Sequence, residues 1–253
     1  MKYFPDLKNK SVIVTGGSKG VGKKIALSFA EHGSMVIIIG RDEDALSKVT
    51  KELKQFNSLC SYIVADISKT KEIDILFDKI HKIVDKIDIL INNAGINIAK
   101  PALDITENDW DNVHNINLKS LFFCSKKVAT NMISHKCGKI INIASQMAFV
   151  GYWNRSAYCA SKGGVVQLTK ALAIEWAEYN INVNAVAPTF VKTDLTNNMF
   201  EDIEFKKDVY KRIPFKKLAS VEDVSNAVLF LSSNVSDFIT GETIKVDGGW
   251  TAI

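Results

Sequence analysis

The sequence predicts a doubly wound α/β protein: one domain built on a mainly parallel, seven-stranded sheet with helices on both faces. Three observations carry this. Short apolar segments alternate with helical ones from one end of the chain to the other, the order that builds parallel sheets through crossover helices. The apolar segments rarely alternate with polar residues, as is usual for strands buried on both faces. The first of them also runs straight into a glycine-rich turn, GGSKGVG at residues 16–22, that opens a helical pattern.

Taken in order, residues 11–15 (SVIVT) form the first strand, and the helical pattern after the turn runs to about residue 32. Gly33 marks its end, since glycine readily adopts the left-handed conformation that closes a helix. Residues 35–39 are a second buried strand and 41–56 a helix; 62–65 a third strand and 69–86 a third helix; 88–91 a fourth strand. One long helix is expected over 107–134, then a strand at 139–143, a helix at 156–179 and a strand at 182–186. The rhythm breaks at 192–215, a charged segment carrying Phe200, Phe205 and Tyr210. It is too long for a tight connection and reads as a lid or an insertion. A helix at 221–231 and a strand at 242–246 complete the seven. No linker, repeat or low-complexity tract divides residues 1–253.

The composition excludes several classes of function. Hydrophobic residues make up 47% and charged residues 24%, ordinary for a globular protein. The net charge of +4 comes from 32 basic and 28 acidic residues mixed along the chain, so no basic stripe points to nucleic acid. The short basic patch Lys211-Arg212 with Lys216-Lys217 reads as a solvated face. Cys60, Cys124, Cys137 and Cys159 form no C-x-x-C pair, and His32, His81, His114 and His135 fall at no metal-site spacing. No metal site is therefore expected. No run approaches the ~18 apolar residues of a membrane span, and the first residues lack a signal-peptide core. The expectation is a soluble cytoplasmic protein with free thiols.

A strand, then Gly16-x3-Gly20-x-Gly22, then a helix is an arrangement for holding a phosphate. Glycines permit a tight turn and close backbone approach, and the helix N-terminus offers free N–H groups and a favourable dipole. The turn lies in the first βα unit, where a Rossmann fold binds a dinucleotide. At the tip of the second strand a carboxylate would bond a ribose 2′-hydroxyl, whereas a cation suits a 2′-phosphate. Gly40-Arg41 stands there, with Lys19 in the turn adding a second positive charge. Both favour NADP(H) over NAD(H); Asp42 reads as a helix N-cap.

The chemistry concentrates in residues 140–164, IINIASQMAFVGYWNRSAYCASKGG. Ser145 follows a predicted strand, at the sheet edge where open α/β sheets place their ligands. Tyr158 and Lys162, at i and i+4, share one helix face. A hydroxyl, a phenol and an ammonium can thus converge on one small polar atom. Cys159 points away from Tyr158 and reads as packing.

In these features the chain resembles the short-chain dehydrogenase/reductase family, nearly end to end. Thr15-Gly16-x3-Gly20-x-Gly22 is similar to its glycine turn, Asn92-Asn93-Ala94-Gly95 to its N-N-A-G, and Asn117 to its catalytic asparagine. Ser145 with Tyr158-x3-Lys162 is similar to its serine and Y-x-x-x-K, and Asp247-Gly248-Gly249 to its terminal D-G-G. Pro188-Thr189-Phe190-Val191-Lys192-Thr193 is similar to its P-G-x-x-x-T, with Thr189 in place of the glycine.

The resemblance implies hydride transfer between a nicotinamide cofactor and a carbonyl or secondary alcohol. Catalytic roles fall on Asn117, Ser145, Tyr158 and Lys162. Tyr158 would exchange the proton, its pKa lowered by Lys162 and an oxidised nicotinamide. Ser145 would hold the substrate oxygen, and Asn117 a water behind Lys162. The cofactor would contact Gly16, Ser18, Lys19, Gly20, Val21, Gly22 and Arg41, then Asp66, Ile67, Asn93, Ala94 and Gly95, with Pro188, Val191 and Thr193 on the nicotinamide side. Substrate would meet Asn97, Gln146, Met147, Trp153 and Phe190, besides Ser145 and Tyr158, with Ile96, Tyr152 and the segment near Met199 close by. Acyl-thioester reductases, sugar-acid or polyol dehydrogenases (some using NAD(H)) and hydroxysteroid dehydrogenases all fit, and the variant at Thr189 together with Gly249-Trp250-Thr251-Ala252 leans toward polyols or sugar acids. A homotetramer is also implied, with helices 107–134 and 156–179 in one interface. A non-catalytic nucleotide sensor would be expected to lose one of the four catalytic side chains, and all four are present.

Overall fold

The computed structural model describes residues 3–193 and 198–252. Its strands β1 (Ser11–Thr15), β2 (Met35–Gly40), β3 (Ser61–Val64), β4 (Ile89–Asn92), β5 (Gly138–Ile143), β6 (Ile181–Pro188) and β7 (Thr243–Val246) form one sheet in the order β3-β2-β1-β4-β5-β6-β7. Every neighbouring pair is parallel, so the expected sheet is wholly parallel. The helices are α1 (Gly20–Glu31), α2 (Glu43–Leu53), α3 (Thr70–His81), α4 (Glu107–His114), α5 (Ser120–His135), α6 (Ser156–Trp176), α7 (Ile203–Arg212) and α8 (Val221–Ser232).

Successive strand residues feed opposite faces of the sheet. Val12 and Val14 pack with Ile25 and Phe29 of α1 and Val224 and Val228 of α8. Ile13 packs on the other face with Leu76 and Phe77 of α3 and Val128 and Met132 of α5. This is why β1 is buried at all five positions and shows no polar alternation. Truncating a fully buried side chain such as Phe29 costs about 3–5 kcal/mol in typical cores.

Three differences from the expected elements have physical causes. The helix expected over 107–134 is two helices, α4 and α5, joined by a π-turn at Asn115–Lys119. α3 ends at His81 rather than 86, because the next residues form a loop held by Asn131. That side chain accepts from Ile87 N at 2.9 Å and donates to Asp85 O at 2.8 Å. The helix expected over 41–56 starts only after Asp42, whose carboxylate caps it by accepting from Ala45 N at 3.0 Å.

In the break at 192–215 lies α7, capped by Asp202. Val209 and Ile213 pack with Trp250, Phe190, Phe200 and Phe205. Asp247 holds Trp250 in this cluster by accepting from Gly249 N and from Thr251 N and Oγ1.

Candidate active site

The chain runs β1-β2-β3 toward one edge of the sheet and then returns to lay β4 on the other side of β1. That reversal opens a crevice at the C-terminal strand ends, where such sheets bind ligands. Two hydrogen-bonded turns meet there. Asn93 Nδ2 donates to the Thr15 and Gly16 carbonyls at 3.0 Å each. Thr15 Oγ1 accepts from Asn93 N and Ala94 N at 3.0 and 3.1 Å. Gly16 and Gly20 adopt φ of +66° and +53°, conformations that favour glycine. A Cβ on Gly22 would run into the Gly16 carbonyl and the Asn93 amide. No side chain caps α1 at Lys19, so its first N–H groups are open to the crevice. This cradle fits a phosphate-bearing dinucleotide.

A cleft beside the turn gathers Ser18, Lys19, Arg41, Asp66 and Ile67 with Gly16, Ala94 and Gly95. Lys19 is committed to an ion pair with Asp42 at 3.1 Å. Burial raises the Asp66 carboxyl pKa, but hydrogen bonds from Ser68 and the Arg41 and Lys69 charges outweigh it and hold it below the usual value. Val21, Gly22, Pro188, Val191 and Thr193 line the main cavity, of about 400 Å³, ample for a nicotinamide and a small substrate. Every expected cofactor contact thus borders one of two adjoining spaces.

At the inner end of the main cavity stand Ser145, Tyr158 and Lys162. Ser145 follows β5 and caps the next short turn, accepting from Met147 N at 3.2 Å. Its hydroxyl and the Tyr158 side chain line the same cavity. Lys162 is buried, donates to the Ile143 carbonyl at 2.6 Å and lies 5.8 Å from the Tyr158 ring centroid. Burial alone pushes the Lys162 pKa down to about 8. Burial raises the Tyr158 pKa, and the nearby Ser145 hydroxyl only partly opposes this. A buried phenol stays neutral until something stabilises its charge, and here Lys162 is turned toward the Ile143 carbonyl.

Asn117 lies behind the cavity wall. Its amide clamps Ile96, accepting from Ile96 N at 2.8 Å and donating to Ile96 O at 2.9 Å. It also donates to Ser161 Oγ at 3.0 Å. The sequence expectation of substrate contacts holds its geometry for Asn97, Gln146, Met147 and Phe190, which line the cavity with Ile96. It fails for Trp153, which is 65% exposed, outside the lining, and under the Arg212 guanidinium at 4.8 Å. Tyr152 packs behind Phe190 with ring centroids 5.9 Å apart. The Met199 side chain lies outside the described residues.

Sequence reasoning missed Ile143, Ala144, Arg155 and Thr189 as lining residues, and Arg155 is the charged one among them. Arg155 is 7% exposed and borders the cavity. Its position three residues before Tyr158, at the N-cap of that helix, was the available signal. Among the described residues no cluster of histidine, cysteine and carboxylate side chains could hold a metal, and no helix is long and apolar enough to cross a membrane.

Comparison with known proteins shows the family. The family described as Enoyl-(Acyl carrier protein) reductase matches residues 16–251. The chain is 39% identical over 249 residues to 2-dehydro-3-deoxy-D-gluconate 5-dehydrogenase of Escherichia coli (strain K12), covering 97% of each. It is 37% identical over 246 residues to NAD-dependent glycerol dehydrogenase of Listeria innocua, covering 97% of this chain and 95% of that one. The solved structure of a gluconate 5-dehydrogenase from Burkholderia cenocepacia J2315, in complex with NADP and tartrate, superposes with a TM-score of 0.94 at 31% identity, covering 100% of this chain and 99% of that one. With its glycine turn, its Ser-Tyr-Lys cluster and these matches over nearly its whole length, the chain belongs to the short-chain dehydrogenase/reductase family of oxidoreductases.

Proposed function

We propose that this oxidoreductase prefers NADP(H) and interconverts a carbonyl and a secondary alcohol on a small polyol or sugar acid. The observation that carries the reading is that Ser145, Tyr158 and Lys162 line one cavity together with the glycine turn. Arg41 supports the cofactor preference, since it borders the cleft and forms no ion pair among the described residues. The names of the Escherichia coli and Burkholderia cenocepacia relatives support the substrate class.

NADP(H), when bound, supplies or accepts the hydride. The glycine turn and the α1 N-terminus would hold its phosphates, Arg41 its 2′-phosphate, and Pro188, Val191 and Thr193 its nicotinamide. Tyr158, neutral in the protein by itself, is set to donate a proton to the alkoxide oxygen in the reductive direction. Ser145, on the same cavity, would hydrogen-bond the same oxygen. In the oxidative direction Tyr158 must lose its proton, which its burial opposes; a positive charge beside it lowers that cost. Lys162, already buried, brings a proton held only to about pH 8 within one turn of the phenol, and so is suited to relay it. Asn117 fixes the Ile96 backbone over the cavity. α7 would serve as a lid, anchored by Tyr152 Oη donating to Asp208 at 2.9 Å.

The test is Tyr158→Phe. NADPH-linked turnover should fall by about a thousandfold or more, the order of a lost general acid–base group, while NADPH still binds, as read by its fluorescence. Turnover near that of the natural protein would refute the assignment.

A further inference from the structure

Arg155 is a buried cation with no anion. Its guanidinium's one hydrogen bond among the described residues runs from Nη1 to the Asn154 carbonyl at 3.1 Å. The groups whose charges it senses are Tyr152, Tyr158 and Cys159, all neutral at pH 7 in a buried setting. A guanidinium carries about five N–H donors, and only one nitrogen of this one bonds a protein group among the described residues. Beside it, Gln146 is 1% exposed, lines the same cavity, and has no partner for either amide atom. The Thr189 hydroxyl, also buried and lining it, has none either.

Buried polar groups are normally paired, and each exception asks for a reason. Two of these exceptions, Gln146 and Thr189, line this cavity, among apolar Met147 and Phe190. A water could satisfy the amide and the hydroxyl, but it cannot neutralise the guanidinium. A carboxylate can: its two oxygens match the planar fork of an arginine. The cofactor does not supply that anion, because its phosphates belong at the glycine turn and Arg41, in the other arm of the crevice.

We infer that Arg155 and Gln146 form a substrate subsite for a small hydroxy or oxo acid, Arg155 binding the carboxylate and Gln146 a hydroxyl of the same molecule. The placement of the reacting carbon beside Tyr158 rests on the hydride-transfer reading above. Arg155 stands at the N-cap of α6 and lines the same cavity as Tyr158, so the anion is held in the cavity that the phenol faces. The subsite would distinguish a sugar acid from the polyol of the same carbon chain.

The test uses the full chain with matched pairs: gluconate against glucitol as substrates, and tartrate against threitol as inhibitors. Quenching of bound NADPH fluorescence provides a readout independent of turnover. The natural protein should favour each acid over its polyol by at least about tenfold in kcat/KM or in binding, the order of one charge-assisted pair. Arg155→Gln should erase that ratio, chiefly through KM, and Arg155→Lys should restore part of it. Gln146→Leu should weaken acid and polyol alike. Equal use of acid and polyol by the natural protein would overturn the subsite, as would an acid-over-polyol ratio unchanged in Arg155→Gln. If Arg155→Gln does not fold, the natural protein's own ratio decides. If nothing is turned over but the acid still alters NADPH fluorescence in an Arg155-dependent way, the subsite stands and the redox reading falls.

Discussion

Lys162 shows what a single residue costs the fold in order to serve the site. Its ammonium is buried without a carboxylate, and its pKa falls from 10.5 to about 8. Below pH 8 the folded and unfolded chains both carry the proton, and the folded one bears the full desolvation cost, about 3 kcal/mol by linkage. Between pH 8 and 10.5 the folded chain releases its proton first, so stability rises and the cost disappears. Lys162→Met should therefore stabilise the protein at pH 7 by up to about 3 kcal/mol, while abolishing turnover. Denaturant unfolding at pH 7 and at pH 10 should show that gain shrinking. Arg41 makes the cofactor prediction. With Lys19 held by Asp42, Arg41 is the cation open to a 2′-phosphate. Arg41→Ala should lower the NADPH-over-NADH ratio of initial rates by about tenfold, the order of one charge-assisted hydrogen bond.

At the scale of elements, the π-turn between α4 and α5 matters most. It places Asn117 in the one stretch of the pair that is neither helix, and the amide then reaches Ile96 on the loop after β4. Asn117→Ala would leave the Ile96 N–H and carbonyl without those partners in a partly buried setting, at a cost of about 2 kcal/mol or more. The melting temperature should fall, and the KM for NADPH should rise with it, because the same loop carries Asn93 and Gly95. A loss of stability with cofactor KM unchanged would separate the two roles. The π-turn was not legible in the sequence. The apolar positions Val113, Leu121 and Cys124 continue a helical spacing across it, and nothing local distinguishes i+4 from i+5 bonding. Strands were legible because burial on both faces removes polar residues from them. Asp42 was legible as a cap for a local reason: its carboxylate bonds a backbone N–H three residues on.

For the whole molecule, the outer face of α4, α5 and α6 is the expected subunit interface. An apolar groove there is lined by Leu118, Phe122, Gly164 and Leu168. Ile174, 80% exposed, and Trp110 extend apolar surface along the same helices. Exposed apolar surface of this kind marks interaction sites. Ile174→Asp should shift the mass measured by light scattering below that of a tetramer, with the fold retained by circular dichroism. An unchanged mass would remove this face from the assembly. The reading of the site as a whole was mixed. The glycine turn, Asn93, Ser145, Tyr158 and Lys162 were visible as motifs because each needs a particular residue type at a particular spacing. Arg155 was not, since an arginine before a helix ordinarily points to solvent.

The sequence by itself determined the doubly wound sheet, the phosphate-holding turn and the residues gathered around Tyr158. Those depend on local periodicity, backbone freedom at glycine and spacing along one helix. Only the tertiary structure decided which side chains are buried: that Lys162 is desolvated, that Tyr158 stays neutral in the protein by itself, that Trp153 faces Arg212 and that Arg155 faces the cavity. Each depends on which distant elements pack together, and the energy of a charge is set by that packing more than by its neighbours in the chain.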